Sequence, residues 1–208
     1  MKLSEISFRN LYRQYVILKD EIYFKSAVDM MEKYSYALAP NWNAVLCYCY
    51  IDSSAGMSFH FLGFANYDDN DIDVDSYEKQ LAEKIVLLFR YKDDAEIKPY
   101  SKETSMFNER AKMVDDGYHR DERVLPTRNI AQIDHLRHNS CPDDIKVLLR
   151  KEGLQIEQVW VRLAGIENGN LTGVLLNEPN SDFGVHSGDI VCVQVTSRGD
   201  DVYAICLF

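Results

Sequence analysis

The sequence predicts an α+β chain with N-terminal helices and a β-hairpin, followed by a small antiparallel five-stranded barrel-like (SH3-like) sheet. Three observations support this fold class. Near the N-terminus, apolar residues recur at three- and four-residue spacing, which is typical of amphipathic helices. Over residues 43–65 the period changes to two, which indicates paired strands. From residue 145 onward, five short apolar runs alternate with turn residues, as in a small barrel.

Two N-terminal helices are predicted over residues 4–38, and Pro40 ends their pattern. Asp20-Glu21 marks the break between them. Part of Tyr15–Phe24 is also compatible with a strand, and that alternative stays open.

The residues after the helices predict a hairpin, an acidic loop and a third helix. The hairpin covers residues 43–65, with its turn at Ser53–Gly56. Alternating acids over residues 68–75 suggest a calcium loop, but Val74 and Gln80 occupy the positions where an EF-hand needs glycine and glutamate. An EF-hand is therefore rejected, while a weaker divalent-ion site at this loop stays open. The third helix is predicted to start at residue 75 or 76 and to end near residue 91.

The composition predicts three parts: an α+β domain at 1–115, a polar connector at 116–140 and a barrel-like domain at 141–208. One short helix is expected near Met106–Val114. A tight turn is expected at Asn168-Gly169, because these residues readily adopt positive φ. The five predicted strands are Ile145–Leu149, Ile156–Leu163, Leu171–Leu176, Ile190–Val195 and Val202–Leu207.

The bulk numbers restrict the classes of partner. With 33 acids and 23 bases, the chain carries a net charge of −10, which argues against nucleic acid and permits a basic protein partner. Solubility alone is the favoured explanation of this charge. Because no apolar run approaches the ~18–20 residues that span a bilayer, no membrane association is expected. The N-terminus does not resemble a secretory signal. Five cysteines, an odd number mostly within strand-like runs, predict reduced thiols in a cytoplasmic protein.

Three segments of the C-terminal third resemble a known group of domains. They are Val159–Leu163, Gly173–Pro179, which ends in Asn-Glu-Pro, and Phe183–Asp189, which ends in Gly-Asp. Together they resemble uncharacterised bacterial β-domains of unknown function, including the YegJ-like domains. The resemblance covers residues 141–208 and implies the barrel fold, but no activity. Some relatives are encoded near polymorphic-toxin or immunity genes, so the resemblance also allows an immunity-like role.

The stretch between the third and fourth predicted strands is the best candidate binding loop. It carries Asn177, Glu178, Asp182, His186 and Asp189. A histidine near carboxylates is suited to acid–base chemistry or to ligand binding. The same stretch also has the glycines and the proline of a structural corner, and this interpretation is favoured.

A second cluster, His135, His138 and Cys141, has the spacing at which one helical turn brings two imidazoles to a single zinc ion. There is no second cysteine pair, and Pro142 ends the helix at the cysteine, so a polar helix lying against the barrel is favoured. Cys47-x-Cys49 predicts core packing. No metal and no cofactor is expected.

The sequence alone does not determine the function. The leading hypothesis is a non-enzymatic cytoplasmic protein that binds another protein, with immunity or antitoxin-like neutralisation as its narrowest form. The alternative is a small-molecule or metal-binding module. The third is a hydrolase using His186 with Glu178 or Asp182, which is disfavoured because the local motifs of common enzyme classes are missing. The oligomeric state stays open.

Overall fold

The computed structural model describes residues 1–34, 41–69, 71–72, 86–118 and 122–208. The chain divides into two compact units, Met1–Tyr118 and His119–Phe208. Both contain helices and strands, so the predicted mixed fold class is confirmed. In the described part of the chain, no helix is long and apolar enough to cross a membrane.

The N-terminal unit is built around one antiparallel sheet. Its described elements are η1 (Leu3–Glu5), α1 (Phe8–Leu11), β1 (Tyr15–Lys19), α2 (Glu21–Glu32), β2 (Ala44–Asp52), β3 (Gly56–Asn66), β4 (Asp71–Ile72), β5 (Leu88–Arg90), β6 (Glu96–Pro99), η2 (Ser105–Phe107) and α3 (Asn108–Gly117). The strand order is β4-β3-β2-β1-β6, and β5 also pairs with β3. The predicted hairpin is present as β2 and β3 and lies at the centre of this sheet.

The central strands are buried on both faces, because an apolar layer covers each side. Val45 and Cys47 belong to the cluster that includes Ala27 of α2. Leu46 belongs to the cluster that includes Ala111 of α3 on the other face. Alternate residues of a strand point to opposite faces, so a strand between two layers is apolar in nearly every position.

Two predicted helices are corrected by the structure. In the first helical stretch, Tyr15–Lys19 is a strand, because its backbone pairs with β2 on one side and with β6 on the other. The strand alternative left open by the sequence is the one observed. In the predicted third helix, Leu88–Arg90 is also a strand, paired with β3. The first predicted stretch does contain the helices α1 and α2. Residues 35–38 of that stretch and the part of the third predicted helix up to residue 85 lie outside the described residues, as does part of the acidic loop.

The C-terminal unit is a closed barrel. Its described elements are α4 (Leu125–Arg128), η3 (Ala131–Leu136), β7 (Asp144–Arg150), β8 (Glu157–Glu167), β9 (Asn170–Leu175), β10 (Ile190–Arg198) and β11 (Asp201–Leu207). All five predicted strands are present. Each strand runs antiparallel to the next along the chain, so the first and fifth run in the same direction. The pair that closes the barrel, β11 with β7, is therefore parallel, with Ile205 opposite Leu148.

A tight turn joins two strands of the barrel, and the chain that precedes β7 contributes to the barrel core. Asn168 and Gly169 have φ values of 50° and 81°, which confirms the predicted tight turn between β8 and β9. Within the stretch expected to be a polar connector, α4 and η3 place Val124 and Ile133 in the barrel core.

Candidate functional site

The predicted binding loop, residues 177–189, is a corner that is fixed to the barrel at several points. Phe183 is 2% exposed and belongs to the barrel core. The side-chain oxygen of Asn177 accepts a hydrogen bond from the Trp160 amide at 2.7 Å. Asp182 accepts one from the amide of Gly184, which has a φ of 82°. These contacts give Asn177 and Asp182 structural roles in the corner.

The loop brings three of its predicted polar residues together. His186 Nδ1 lies 2.7 Å from Glu178 Oε1, and the backbone amide of His186 donates to Asp189 at 2.7 Å. The hydrogen bond between the two side chains raises the pKa of His186, and the same bond lowers the pKa of Glu178. The His186 side chain is 75% exposed, so this pair is a solvated ion pair on the surface. Residues 177–189 remain a predicted binding loop.

The histidine cluster does not have the helical geometry that a shared zinc ion would need. The helix η3 ends at Leu136, and Arg137 is already extended. His135 Nε2 lies 3.0 Å from the Val202 carbonyl oxygen. His138 instead packs edge-on against Trp160, with ring centroids 5.3 Å apart. Among the described residues, no group of three or more histidine, cysteine or acidic side chains is arranged to hold a metal ion.

A network of arginines and acids, which the sequence did not single out, holds the residues around η3. Arg128 donates to both carboxylate oxygens of Asp143 at 2.9 and 2.7 Å, and both side chains are 6% exposed. Arg162 also donates two hydrogen bonds to one carboxylate, that of Asp144, at 2.6 and 2.8 Å. These hydrogen bonds raise the pKa of Arg162. Bidentate pairing fixes orientation as well as charge.

Arg137 completes this network. Its guanidinium donates to the carbonyl oxygens of Pro142 and Thr127, both at 2.6 Å, and to Asp134. One side chain therefore ties η3 to α4 and to the segment that leads into β7. This linkage sets the position of η3 against the barrel wall.

Beside η3, the outer surface of the barrel forms a cleft of about 320 Å³. Its walls include His135 and Leu136 of η3, Lys146 and Leu148 of β7, Gln158 of β8, and Val202 and Tyr203 of β11. Because η3 covers one side of two neighbouring strands, it turns a convex barrel surface into a concave one.

The base of the cleft follows from strand alternation. In β7, Val147 and Leu149 point into the barrel core, so Lys146 and Leu148 point outward. Trp160 lies opposite Lys146 in the neighbouring strand β8, and the Lys146 ammonium is 5.7 Å from the centre of its ring. An aromatic and aliphatic surface therefore lies directly beside an exposed cation.

Sequence reasoning missed the cleft. An outward-facing leucine in a half-exposed strand was the available signal, because such a position is usually polar. The two strands that supply Leu148 and Tyr203 are far apart in the chain and adjoin only when the barrel closes. Sequence spacing alone could not have joined them.

Fold and cleft together define a class: a small closed β-barrel domain with a concave region on its outer wall. Residues 118–205 match the family model described as "Uncharacterized protein conserved in bacteria (DUF2314)". The resemblance to bacterial β-domains of unknown function is thus confirmed, and the match begins upstream of residue 141. No curated protein and no solved structure matches the chain. The family description assigns no activity.

Proposed function

We propose that the C-terminal barrel is a protein-binding module that takes up a short segment of a partner protein in the cleft between η3, β7 and β11. The observation that carries this proposal is the cleft itself, about 320 Å³ in volume, with Tyr203 in its wall and Trp160 at its side. Tryptophan and tyrosine are enriched among the residues that dominate binding energy at protein interfaces.

The walls of the cleft are suited to binding because they are rigid. Two of them are strands of a closed barrel, and the third is η3, which Arg137 ties to its surroundings. A partner segment therefore meets a preformed surface and does not have to order it, which reduces the entropic cost of association.

The proposed location is the cytoplasm, in keeping with the five free cysteines, of which Cys47, Cys49 and Cys206 are buried. Neutralisation of a partner, in the manner of an immunity protein or antitoxin, is the narrowest form of the proposal. Its support is the resemblance to domains encoded near toxin and immunity genes.

The test is selection of a random dodecapeptide phage library on the full-length chain, followed by affinity measurements on the recovered peptides. We expect Leu148→Glu to weaken binding by at least about tenfold, since it places a charge on the apolar wall. Gln194→Glu introduces the same charge on the exposed outer face of β10 and is expected to change affinity by less than about twofold.

Tyr203→Ala is a second cleft variant in case Leu148→Glu perturbs the fold. A library that yields no binder, or binders that are indifferent to both cleft variants, would overturn the proposal.

A second candidate function uses the same cleft. Its volume lies at the lower end of the range of small-molecule sites, roughly 300–1,000 Å³. A thermal-shift screen with a metabolite library tests this alternative. Stabilisation of wild-type protein that Leu148→Glu abolishes would favour a small ligand over a peptide.

A further inference from the structure

The net charge of the chain and the local charge of the cleft favour opposite partners. A chain with a net charge of −10 attracts basic proteins over long distances. The charge that a bound segment meets directly is instead set by the few ionisable groups lining the cleft. These are Lys146, Asp201 and His135.

Lys146 is the exposed cation of the cleft. Within the described residues, its ammonium has no carboxylate at ion-pair distance, and it lies 5.7 Å from the centre of the Trp160 ring. The nearest acid on its own strand, Asp144, is already held by both donor groups of Arg162. Lys146 therefore remains available to a negative group on a ligand.

The acid of the cleft, Asp201, has a hydrogen-bond partner within its own strand. Asp201 Oδ2 accepts a hydrogen bond from the Tyr203 hydroxyl at 3.3 Å. This contact joins Asp201 to the aromatic wall of the cleft. Asp201 keeps its charge, but it is Lys146 that lies two residues from Leu148 in β7 and opposite Trp160 in β8.

We propose that the segment bound in the cleft carries a carboxylate beside an apolar side chain. The carboxylate pairs with Lys146, while the apolar side chain packs on Leu148 and Tyr203. This inference rests on the proposed peptide-binding function and adds the chemistry of the ligand. A lysine over an aromatic ring is partly ordered already, so less side-chain entropy is lost when the carboxylate arrives.

The test uses three pools of synthetic heptapeptides with a central leucine. The flanking residues are only Asp and Glu in the first pool, Asn and Gln in the second, and Lys and Arg in the third. The readout is the indole NH signal of Trp160 in the NMR spectrum of the full-length protein, and the Trp42 indole of the other unit serves as internal reference.

We expect the acidic pool to reach half-saturation at a concentration about two- to fivefold lower than the neutral pool, the size of one exposed ion pair. Lys146→Glu is expected to reverse this order and favour the basic pool, while Lys146→Gln removes the preference. Lys112→Glu makes the same charge change on the exposed surface of α3 and is expected to behave as wild type.

Failure of this inference can be distinguished from failure of the proposed function. If all three pools shift the Trp160 signal equally, and Lys146→Glu changes nothing, the cleft binds peptides without an acidic preference and the inference is overturned. If no pool shifts the Trp160 indole signal and the phage selection also recovers no binding peptide, both the inference and the proposed function are overturned.

Discussion

Among the described residues, the N-terminal unit buries an imidazole ring that has no hydrogen-bond partner, whereas the C-terminal unit buries a complete ion pair. His60 of β3 is 5% exposed, and neither ring nitrogen has a hydrogen-bond partner among the described residues. Arg128 and Asp143 are buried to the same degree, but they satisfy each other through two hydrogen bonds. Both units have apolar cores, so the difference lies in how each accommodates polar groups.

The difference reflects what each unit must hold in place. The N-terminal sheet has an apolar layer on each face, and its strands satisfy their own backbones. The barrel must also fix irregular chain around α4 and η3, whose carbonyl groups need donors. Arginine supplies several donors at once, and Arg137 uses them on Thr127 and Pro142. The C-terminal unit therefore holds its irregular segments in place with buried polar contacts, whereas the N-terminal sheet is held mainly by apolar packing on both faces.

The largest expected effect comes from breaking the buried pair. Asp143→Ala leaves the Arg128 guanidinium buried without its carboxylate and should lower the unfolding free energy of the C-terminal unit by about 3–5 kcal/mol. Urea unfolding followed by Trp160 fluorescence in a Trp42→Phe background measures this unit separately. A double Arg128→Leu, Asp143→Leu variant should be less destabilised than Asp143→Ala. A loss below about 1 kcal/mol for Asp143→Ala would contradict the comparison.

The N-terminal unit should instead be sensitive to acid through His60. Burial, together with the positive charge of Arg110, lowers the pKa of His60 from 6.5 to about 4. Between these values the unfolded chain binds the proton more readily, so stability is lost as the pH falls from 6.5 to 4. The shift corresponds to roughly 3 kcal/mol.

Trp42 fluorescence in a Trp160→Phe background follows the N-terminal unit across this pH range. His60→Phe has no group to protonate and should flatten this part of the pH dependence. An identical slope in wild type and variant would remove His60 as the cause.

An added methyl group should distinguish the two units by packing. A Cβ at Gly173 would lie 2.5 Å from the Arg162 carbonyl oxygen and 2.6 Å from Val161 Cγ1. Gly173→Ala should therefore destabilise the barrel by about 1–3 kcal/mol, because backbone must move. Gly117→Ala is the matched control in the N-terminal unit, since nothing lies within 4 Å of its Cβ position. The measurement is the shift in the unfolding midpoint of the affected unit relative to wild type. If Gly173→Ala shifted the barrel's midpoint no more than Gly117→Ala shifts that of the N-terminal unit, the barrel backbone would accommodate the methyl group without cost.

Local signals made the barrel predictable from the sequence. Each of its strands is a short apolar run bounded by turn residues, and Asn168-Gly169 marks one hairpin by its own backbone preference. The strand at Tyr15–Lys19 was harder to predict, because its partners β2 and β6 lie far away in the chain. Short apolar segments of this kind are ambiguous until their partners are known.

The candidate site was less predictable than the fold. Glu178, His186 and Asp189 do meet, and their closeness in sequence made that foreseeable. The cleft depends on a parallel contact between the first and last strands of the barrel, which pattern reasoning did not supply. The arginine network was missed for the same reason, since Arg128 and Asp143 meet only after two short helices have folded.

The smallest effect is expected for the exposed pair of the predicted binding loop. The hydrogen bond with Glu178, and after it the charge of Glu178, raises the pKa of His186. Glu178→Gln weakens the first and removes the second, so an NMR titration should show that pKa falling toward its ordinary value. A raised histidine pKa stabilises the fold at low pH, and this contribution disappears as the pH rises through the folded-state pKa. Stability should nevertheless change little, because solvent and salt screen an ion pair this exposed. If Glu178→Gln destabilised the barrel as strongly as Asp143→Ala, burial would not be what separates the two pairs. The order of the loop should survive in either case, since Phe183 in the core and the backbone amide of His186 on Asp189 hold it independently of Glu178.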